Sequence, residues 1–427
     1  MNRLLLFLAI ITPCIPKIQI AEGITVYPYE IFAVLCSPWI LKYIKFKIQK
    51  TLLLLWVVIL ISTIISCLFV FASGGLMRCV KEMIYIPLMY MAYQSRSLTL
   101  RMMTIVFVFA FFANISYLVL NGFFGGFLDI WDPEMLSSGL SNKMFSLSTF
   151  SIGVIPTAGG AHGIWLGYNS LAVCLTYIAW KNKEVSLTML LIVFLMGIIN
   201  VLFSVSREGL IGFCFLMIGI VVDGISKYHS RFKVLLSVFI FIGLIIYIIL
   251  AYGDELAIVQ KVLYTHEAIE TSGSESNISL RVGAWYVYCL SVITYPIYLM
   301  IGYGFNLDWY ELVIDQVVGE YSGPYVAIPE SFFVETAMYG GILAFVLGIL
   351  FWRALFAISN KLQYNNVHIP FFWLLFGFLI GNIFSGATII CDLLYSQLLI
   401  SCGLLLRNES FGKQLISTYC RRSKNSN

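Results

Sequence analysis

Charge is scarce in this sequence. Asp, Glu, Lys and Arg make up 11% of its 427 residues, against about 25% in an average soluble domain. So low a share excludes an ordinary water-facing surface. Histidine is rarer still. His162, His229, His266 and His368 are the four, and they lie too far apart for metal-ligand spacing. The ten cysteines (14, 36, 67, 79, 174, 214, 289, 391, 402 and 420) include no C-x-x-C. Most fall in apolar runs, where cysteine acts as a small hydrophobe, so they read as core thiols rather than a disulfide or metal framework. No D-x-D motif, no P-loop and no internal repeat is present. The stretch DIWDPE, with Asp129, Asp132 and Glu134, reads as an acidic turn before proline rather than a metal site. Nothing points to a nucleic-acid partner.

What is there is apolar: 60% of the residues are hydrophobic. Runs such as Thr51–Ala72 and Lys233–Tyr252 recur along the chain. Each could cross a hydrocarbon core of about 30 Å as a helix of about 20 residues. The sequence therefore predicts an all-α polytopic membrane protein. The expected spans are 4–20, 26–44, 51–72, 76–93, 102–121, 164–180, 187–205, 208–225, 234–252, 330–352, 369–386 and 387–406, about twelve helices with both termini on one side. The start has a signal-like look, with Arg3 before LLLFLAII, but no small-x-small cleavage site follows. It reads as an uncleaved first span.

Basic residues test this threading, because cytoplasmic loops are enriched in Lys and Arg. One side collects 19 of the 26 basic residues. The other keeps Lys17, Arg78, Lys81, Lys143, Arg207, Lys261 and Arg281. Both termini are expected in the cytoplasm. Two large outer segments follow, 122–163 and 253–329. Loops of that length between spans are uncommon and tend to be functional. The run Gly283–Ile301 is apolar enough to span. If it did, the acidic stretch Gly302–Pro329, which has no Lys or Arg, would turn cytoplasmic and every later basic loop would move outside. It is expected instead to lie on or dip into the outer interface, anchored by Trp285, Tyr286 and Tyr288.

In this threading the seam SVSRE (204–208) between two apolar runs falls at the outer face. Ser204 or Ser206 can cap the helix that starts near Arg207. The free N–H groups and positive dipole end there favour an anion, and Arg207 adds a full charge. Read alone, Arg207 is equally well a snorkelling arginine paired to Glu208.

Three more pieces share the outer side. GGAHGIWLGYNSLAVCL (159–175) precedes the seam. RVGAWYVYCLSVITYPIYLMIGYGFN (281–306) and IPESFFVETAMYGGILAFVLG (328–348) follow it. In this order the four pieces resemble the O-antigen polymerase and O-antigen ligase superfamily, over about residues 155–350. The matching features are the Tyr168–Ala172 turn, Ser204–Arg207, Arg281 before Trp285 with Pro296, Gly302 and Gly304 behind, and Glu330 before Phe332, Phe333, Gly340 and Gly341. The ligase branch carries a His-Asn pair where this chain reads Pro329-Glu330, and no histidine follows His266 in the second outer segment. The resemblance is therefore to the polymerase branch, of the Wzy type.

That resemblance implies a GT-C-like glycosyltransferase architecture in the bacterial inner membrane, with its active site facing the periplasm. Undecaprenyl-diphosphate-linked glycans would be donor and acceptor, membrane lipid the surrounding, and a flippase and a chain-length regulator partners. No cofactor and no metal are implied. The leaving diphosphate needs cations, and the planar fork of arginine pairs two phosphate oxygens at once; Arg207 and Arg281 suit that role. An acceptor hydroxyl needs a base within reach, for which Glu330 is preferred, although an acid there also suits a helix N-terminus. Glu335, His162, Tyr303 and Trp285 are secondary candidates, the aromatics as platforms for sugar faces. The competing readings are an O-antigen ligase and a lipid-linked oligosaccharide flippase or other transporter. Transporters tend to show repeats and broken helices at the membrane midplane, whereas here few charges are expected to be buried (Glu30, Asp392), and the polar inventory sits in the outer loops.

Overall fold

Long runs of Leu, Ile, Val and Phe satisfy their backbone groups locally, and most of the chain is accordingly α-helical. The computed structural model describes residues 2–15, 18–21, 24–124, 162–203, 207–227, 277–318, 329, 331–384 and 392–424. Its helices are α1 (Asn2–Ile11), α2 (Pro28–Leu35), α3 (Ser37–Ile40), α4 (Lys47–Ser66), α5 (Ser73–Tyr85), α6 (Leu88–Gln94), α7 (Leu100–Phe124) and α8 (His162–Lys181). Then come α9 (Leu187–Phe203), α10 (Arg207–Lys227), α11 (Asn277–Thr294), α12 (Ile297–Ile301), α13 (Leu307–Val318), α14 (Phe332–Ser359), α15 (His368–Phe384) and α16 (Asp392–Lys424). One small hairpin interrupts the helical plan: β1 (Ile18–Ala21) pairs antiparallel with β2 (Ile24–Val26), Ile18 opposite Val26.

Several expected spans coincide with single helices, three break at prolines, and the expected span 330–352 is interrupted at Gly340 and Gly341. The first expected span, 4–20, ends as an α-helix at Ile11. A 3-10 turn at Thr12–Cys14 holds Pro13, and the hairpin follows. The expected span 26–44 breaks into α2, α3 and a 3-10 turn, with Pro28 and Pro38 in the first turns of the two helices. The expected span 76–93 divides at Pro87. Proline lacks the N–H that an interior helical turn needs. The expected span 234–252, the outer segment 125–161 and residues 253–276 lie outside the described residues.

Among the described residues two helices, α4 and α14, are long and apolar enough to cross a membrane. Both have apolar side chains on both faces. Trp56 and Leu52 of α4 are buried while Leu54, Ile61 and Ile64 are exposed. On α14, Phe351 and Leu355 are buried while Ile342, Leu343, Val346 and Leu350 are exposed. A helix apolar all round needs an apolar surrounding as well as an apolar core.

The bundle is assembled around α4, α8 and α16. Helix α14 packs along α4, α16 along α6 and α8, and α10 lies between α8 and α15. Buried polar side chains pin these contacts at fixed points. Gln397 of α16 donates to the carbonyl of Ala9 at 2.8 Å. At the far end of α8, Lys181 and Asp223 form a buried ion pair at 2.6 Å, and the Tyr177 hydroxyl donates to the same carboxylate at 2.7 Å. The three groups lock α8 to α10.

Candidate functional site

Residues 328–348, the last of the four pieces singled out in the sequence, include a broken helix. Helix α14 runs from a Ser331 N-cap, with Glu335 in its first turn, and is interrupted at Gly340 (φ −135°) and Gly341 (φ +66°, ψ −163°). Only glycine adopts the second conformation without strain. A break of this kind frees carbonyls from the helical ladder, and in an apolar surrounding each must find another donor. Here the donors come from a segment earlier in the chain. The amide of Tyr303 donates to Met338 O at 2.7 Å, and that of Gly304 to Tyr339 O at 2.9 Å.

Close approach of the two backbones explains the glycines on both sides. A Cβ on Gly302 (φ +69°) would lie 2.6 Å from the amide nitrogens of Gly340 and Gly341. One on Gly341 would collide with the Met300 carbonyl, and one on Gly304 (φ +68°) would sit 2.6 Å from the Thr63 nitrogen. The G-x-G behind Pro296 and the Gly-Gly of α14 thus form one joint, where a short extended segment replaces a turn of helix.

The segment is held on its other flank by α4 and α5. The Phe305 amide donates to Thr63 Oγ1 at 2.9 Å, and Asn306 Nδ2 donates to Val70 O at 2.6 Å. Asn306 Oδ1 accepts from the Trp309 amide at 3.1 Å, which caps α13. The ring of Phe305 stacks on Trp56 and meets Tyr339 at a tilt, with centroids 5.8 and 4.0 Å apart. Above that ring lies the Arg78 guanidinium, 4.7 Å from its centroid, an exposed cation in cation–π geometry. Arg78 is one of the seven basic residues assigned to the outer side, and sequence reasoning gave it no role.

Tyr303 is wholly buried. Its hydroxyl donates to Ser291 Oγ at 2.8 Å, and Ser291 in turn donates to Tyr288 O at 2.7 Å. Burial raises its phenol above the ordinary tyrosine range, so the hydroxyl stays protonated as a donor. The ring stacks on Tyr298 at 4.2 Å and meets Tyr310 edge-on at 5.0 Å. Tyr303 has no face left for a sugar. It acts as the bolt that joins α11, the helix of Arg281 and Trp285, to the joint on α14. Trp285 is half-buried, and its indole N–H has no acceptor among the described residues.

Glu335 is 7% exposed and sits one turn before Tyr339 on α14. Arg281 lies in the second turn of α11, Arg207 opens α10, and His162 opens α8. The side chains of these three, and Glu330 altogether, lie outside the described residues. The base from which Arg207 projects is well built. Two residues on, Gly209 packs so closely on α8 that a Cβ would overlap Leu166. Trp165 Nε1 donates to Asn200 Oδ1 at 3.2 Å, and Asn200 Nδ2 donates to Asn169 Oδ1 at 3.1 Å. Asn169 Nδ2 donates on to Gly197 O at 3.3 Å. Tyr168–Ala172, expected as a turn, lies within α8, and its Asn169 is a buried tie between α8 and α9. Helix α15 packs on both α10 and α14.

Comparison with known proteins finds no relative: no family model matches the chain, and no curated protein matches it.

Proposed function

We propose that the protein is a lipid-diphosphate-dependent glycosyltransferase of the bacterial inner membrane, a polymerase of undecaprenyl-diphosphate-linked repeat units. In this reading both termini are cytoplasmic, about twelve helices span the membrane, and the segments 122–163 and 253–329 form the periplasmic face. The growing glycan leaves its lipid diphosphate as the glycosidic C–O bond breaks. A new bond forms to the non-reducing-end hydroxyl of the next lipid-linked repeat. Arg207 and Arg281 hold the charge that develops on the departing diphosphate, and the hydroxyl proton passes to a carboxylate, Glu330 in the preferred assignment.

The observation that carries the reading is the ordered set of four motif pieces on the side poor in Lys and Arg. It is supported by the joint between two of them, where the G-x-G segment closes the Gly340–Gly341 break. A polymerase needs its donor-binding arginine and its acid held on separate elements in constant register, and the joint couples α11 to α14 in that way.

The test uses membranes that hold this protein alone, supplied with single lipid-linked repeats. A ladder of longer lipid-linked glycans supports the reading. Transfer of the glycan to a different lipid acceptor without lengthening would indicate a ligase, and movement across the bilayer without new bonds a transporter.

A further inference from the structure

A cavity between α1 and the C-terminal end of α6 has no part in the reading above. It has a volume of about 290 Å³ and is lined by Asn2, Arg3 and Leu6 of α1, by Tyr43, by Met91 and Gln94 of α6, and by the linker Ser95–Ser97. Two of those residues, Arg3 and Arg96, are exposed cations. No acid lines the cavity, and neither arginine pairs with a carboxylate among the described residues. Between Glu30 and Asp129 the sequence has a single acid, Glu82, against Lys42, Lys45, Lys47, Lys50, Arg96 and Arg101 on the two segments that flank the cavity. Glu184 accepts from the amides of Leu100 and Arg101 beyond the linker but does not line the cavity, and cations gathered in a cavity that no acid lines repel one another unless an anion joins them.

The walls are fixed in advance. Gln49, fully buried, donates to Tyr43 O at 3.1 Å and to Ile86 O at 2.7 Å, and accepts from the amides of Lys45 and Phe46. Tyr43 is bonded through its hydroxyl to Asn2, and Arg407 donates to Leu98 O behind the linker. The polar mouth adjoins an apolar exterior. Leu4 and Phe7 of α1 follow Arg3 in sequence and are each 52% exposed, while Trp39 and Leu41 are exposed just before Tyr43. A headgroup site needs this juxtaposition of two cations with neutral donors beside an apolar strip. A free anion needs only the first part.

We propose that this cavity binds the phosphate of an anionic phospholipid, with its acyl chains along the exposed side chains of α1. Arg3 and Arg96 pair with the phosphate oxygens, and Gln94, Ser95 and Ser97 donate to the phosphate or the glycerol. Basic pockets between helices on the cytoplasmic side of a membrane recognise anionic headgroups in this way. The inference rests on the membrane placement proposed above, with Arg3 and Arg96 on the cytoplasmic side, and is independent of the polymerase chemistry.

The experiment is native mass spectrometry of the full chain in neutral detergent, titrated separately with phosphatidylglycerol, phosphatidylcholine and inorganic phosphate. Wild-type protein should hold one phosphatidylglycerol that phosphatidylcholine does not replace. Each arginine should contribute about fivefold, so the Arg3→Gln/Arg96→Gln variant should bind about 25-fold more weakly. Arg3→Lys/Arg96→Lys keeps the charge and should retain most of the binding, and Lys361→Gln, outside the cavity, should change nothing. Equal binding of the two lipids, or unchanged binding in the glutamine variant at matched thermal stability, overturns the proposal. Release of the lipid by millimolar inorganic phosphate also overturns it, since the site would then be one for free phosphate.

Discussion

Gly341→Ala should undo the joint between the Gly302–Gly304 segment and α14. Its backbone lies at φ +66° and ψ −163°, a region that costs a residue with a Cβ about 1–3 kcal/mol. The added methyl would also collide with the Met300 carbonyl, so strain cannot be absorbed in place. Alanine favours the continuous helix instead, and straightening α14 withdraws the carbonyls of Met338 and Tyr339 from the amides of Tyr303 and Gly304. Each buried group left without a partner costs about 1–3 kcal/mol. Taking about 3 kcal/mol as the lower end of the combined effect, the segment's opening equilibrium shifts by about two powers of ten. Hydrogen exchange of the Tyr303, Gly304 and Phe305 amides in detergent reads this directly. Those amides should lose about two decades of protection while the amides of α4 and α8 keep theirs. Gly74→Ala is the control, because nothing lies within 4 Å of its Cβ position. Unchanged protection at Tyr303 and Gly304 in Gly341→Ala would refute the argument that the joint depends on this glycine.

Asp223→Ala removes the carboxylate that Lys181 meets in the interior and should cost about 3–5 kcal/mol, read as a fall in Tm in detergent; Lys181→Met/Asp223→Leu should recover most of it, and an unaffected Tm for Asp223→Ala would show that the pair does not lock α8 to α10. Tyr303→Phe keeps the aromatic stack but loses the bond to Ser291 and should cost about 1 kcal/mol, against about 3–5 kcal/mol for Tyr303→Ala, so equal melting shifts for the two would contradict its role as a packed bolt. A cysteine placed at Ser274 should react with an impermeant thiol reagent from outside intact cells and one at Ser426 should not; the reverse pattern would overturn the proposed threading.

Apolar length and proline placement carried most of the helical plan in the sequence. The expected spans 187–205, 208–225 and 369–386 meet helices Leu187–Phe203, Arg207–Lys227 and His368–Phe384, because in each an unbroken apolar run has only its own backbone to bond with. The break inside α14 was harder to read. Gly340 and Gly341 were visible, but glycine pairs also serve close helix packing. What makes them a break is the partner segment, Gly302–Gly304, which no local pattern links to them. The same limit applied to the ties by Gln49, Asn169 and Gln397, whose partners are set by tertiary contact rather than spacing. No spacing in the sequence links Lys181 to Asp223, yet they form an ion pair in the interior. In the candidate site, Tyr303 was legible as an aromatic near the motif but not as a buried one, and the place of Arg78 over the Phe305 ring is set by tertiary contact.

Glycan length at matched protein level tests the central claim most directly. Membranes carrying wild type, Arg207→Ala, Arg281→Ala and the corresponding Arg→Lys variants would be given the same lipid-linked repeats, and the products separated on a gel. Each charge-assisted contact to the diphosphate is worth about 1.5–3 kcal/mol, so either alanine variant should lose the ladder by a factor of about ten to a hundred. Lysine should rescue poorly, since it keeps the charge but not the two-pronged fork. Normal ladders from both alanine variants would contradict the account and leave Arg207 as a snorkelling residue at the membrane edge.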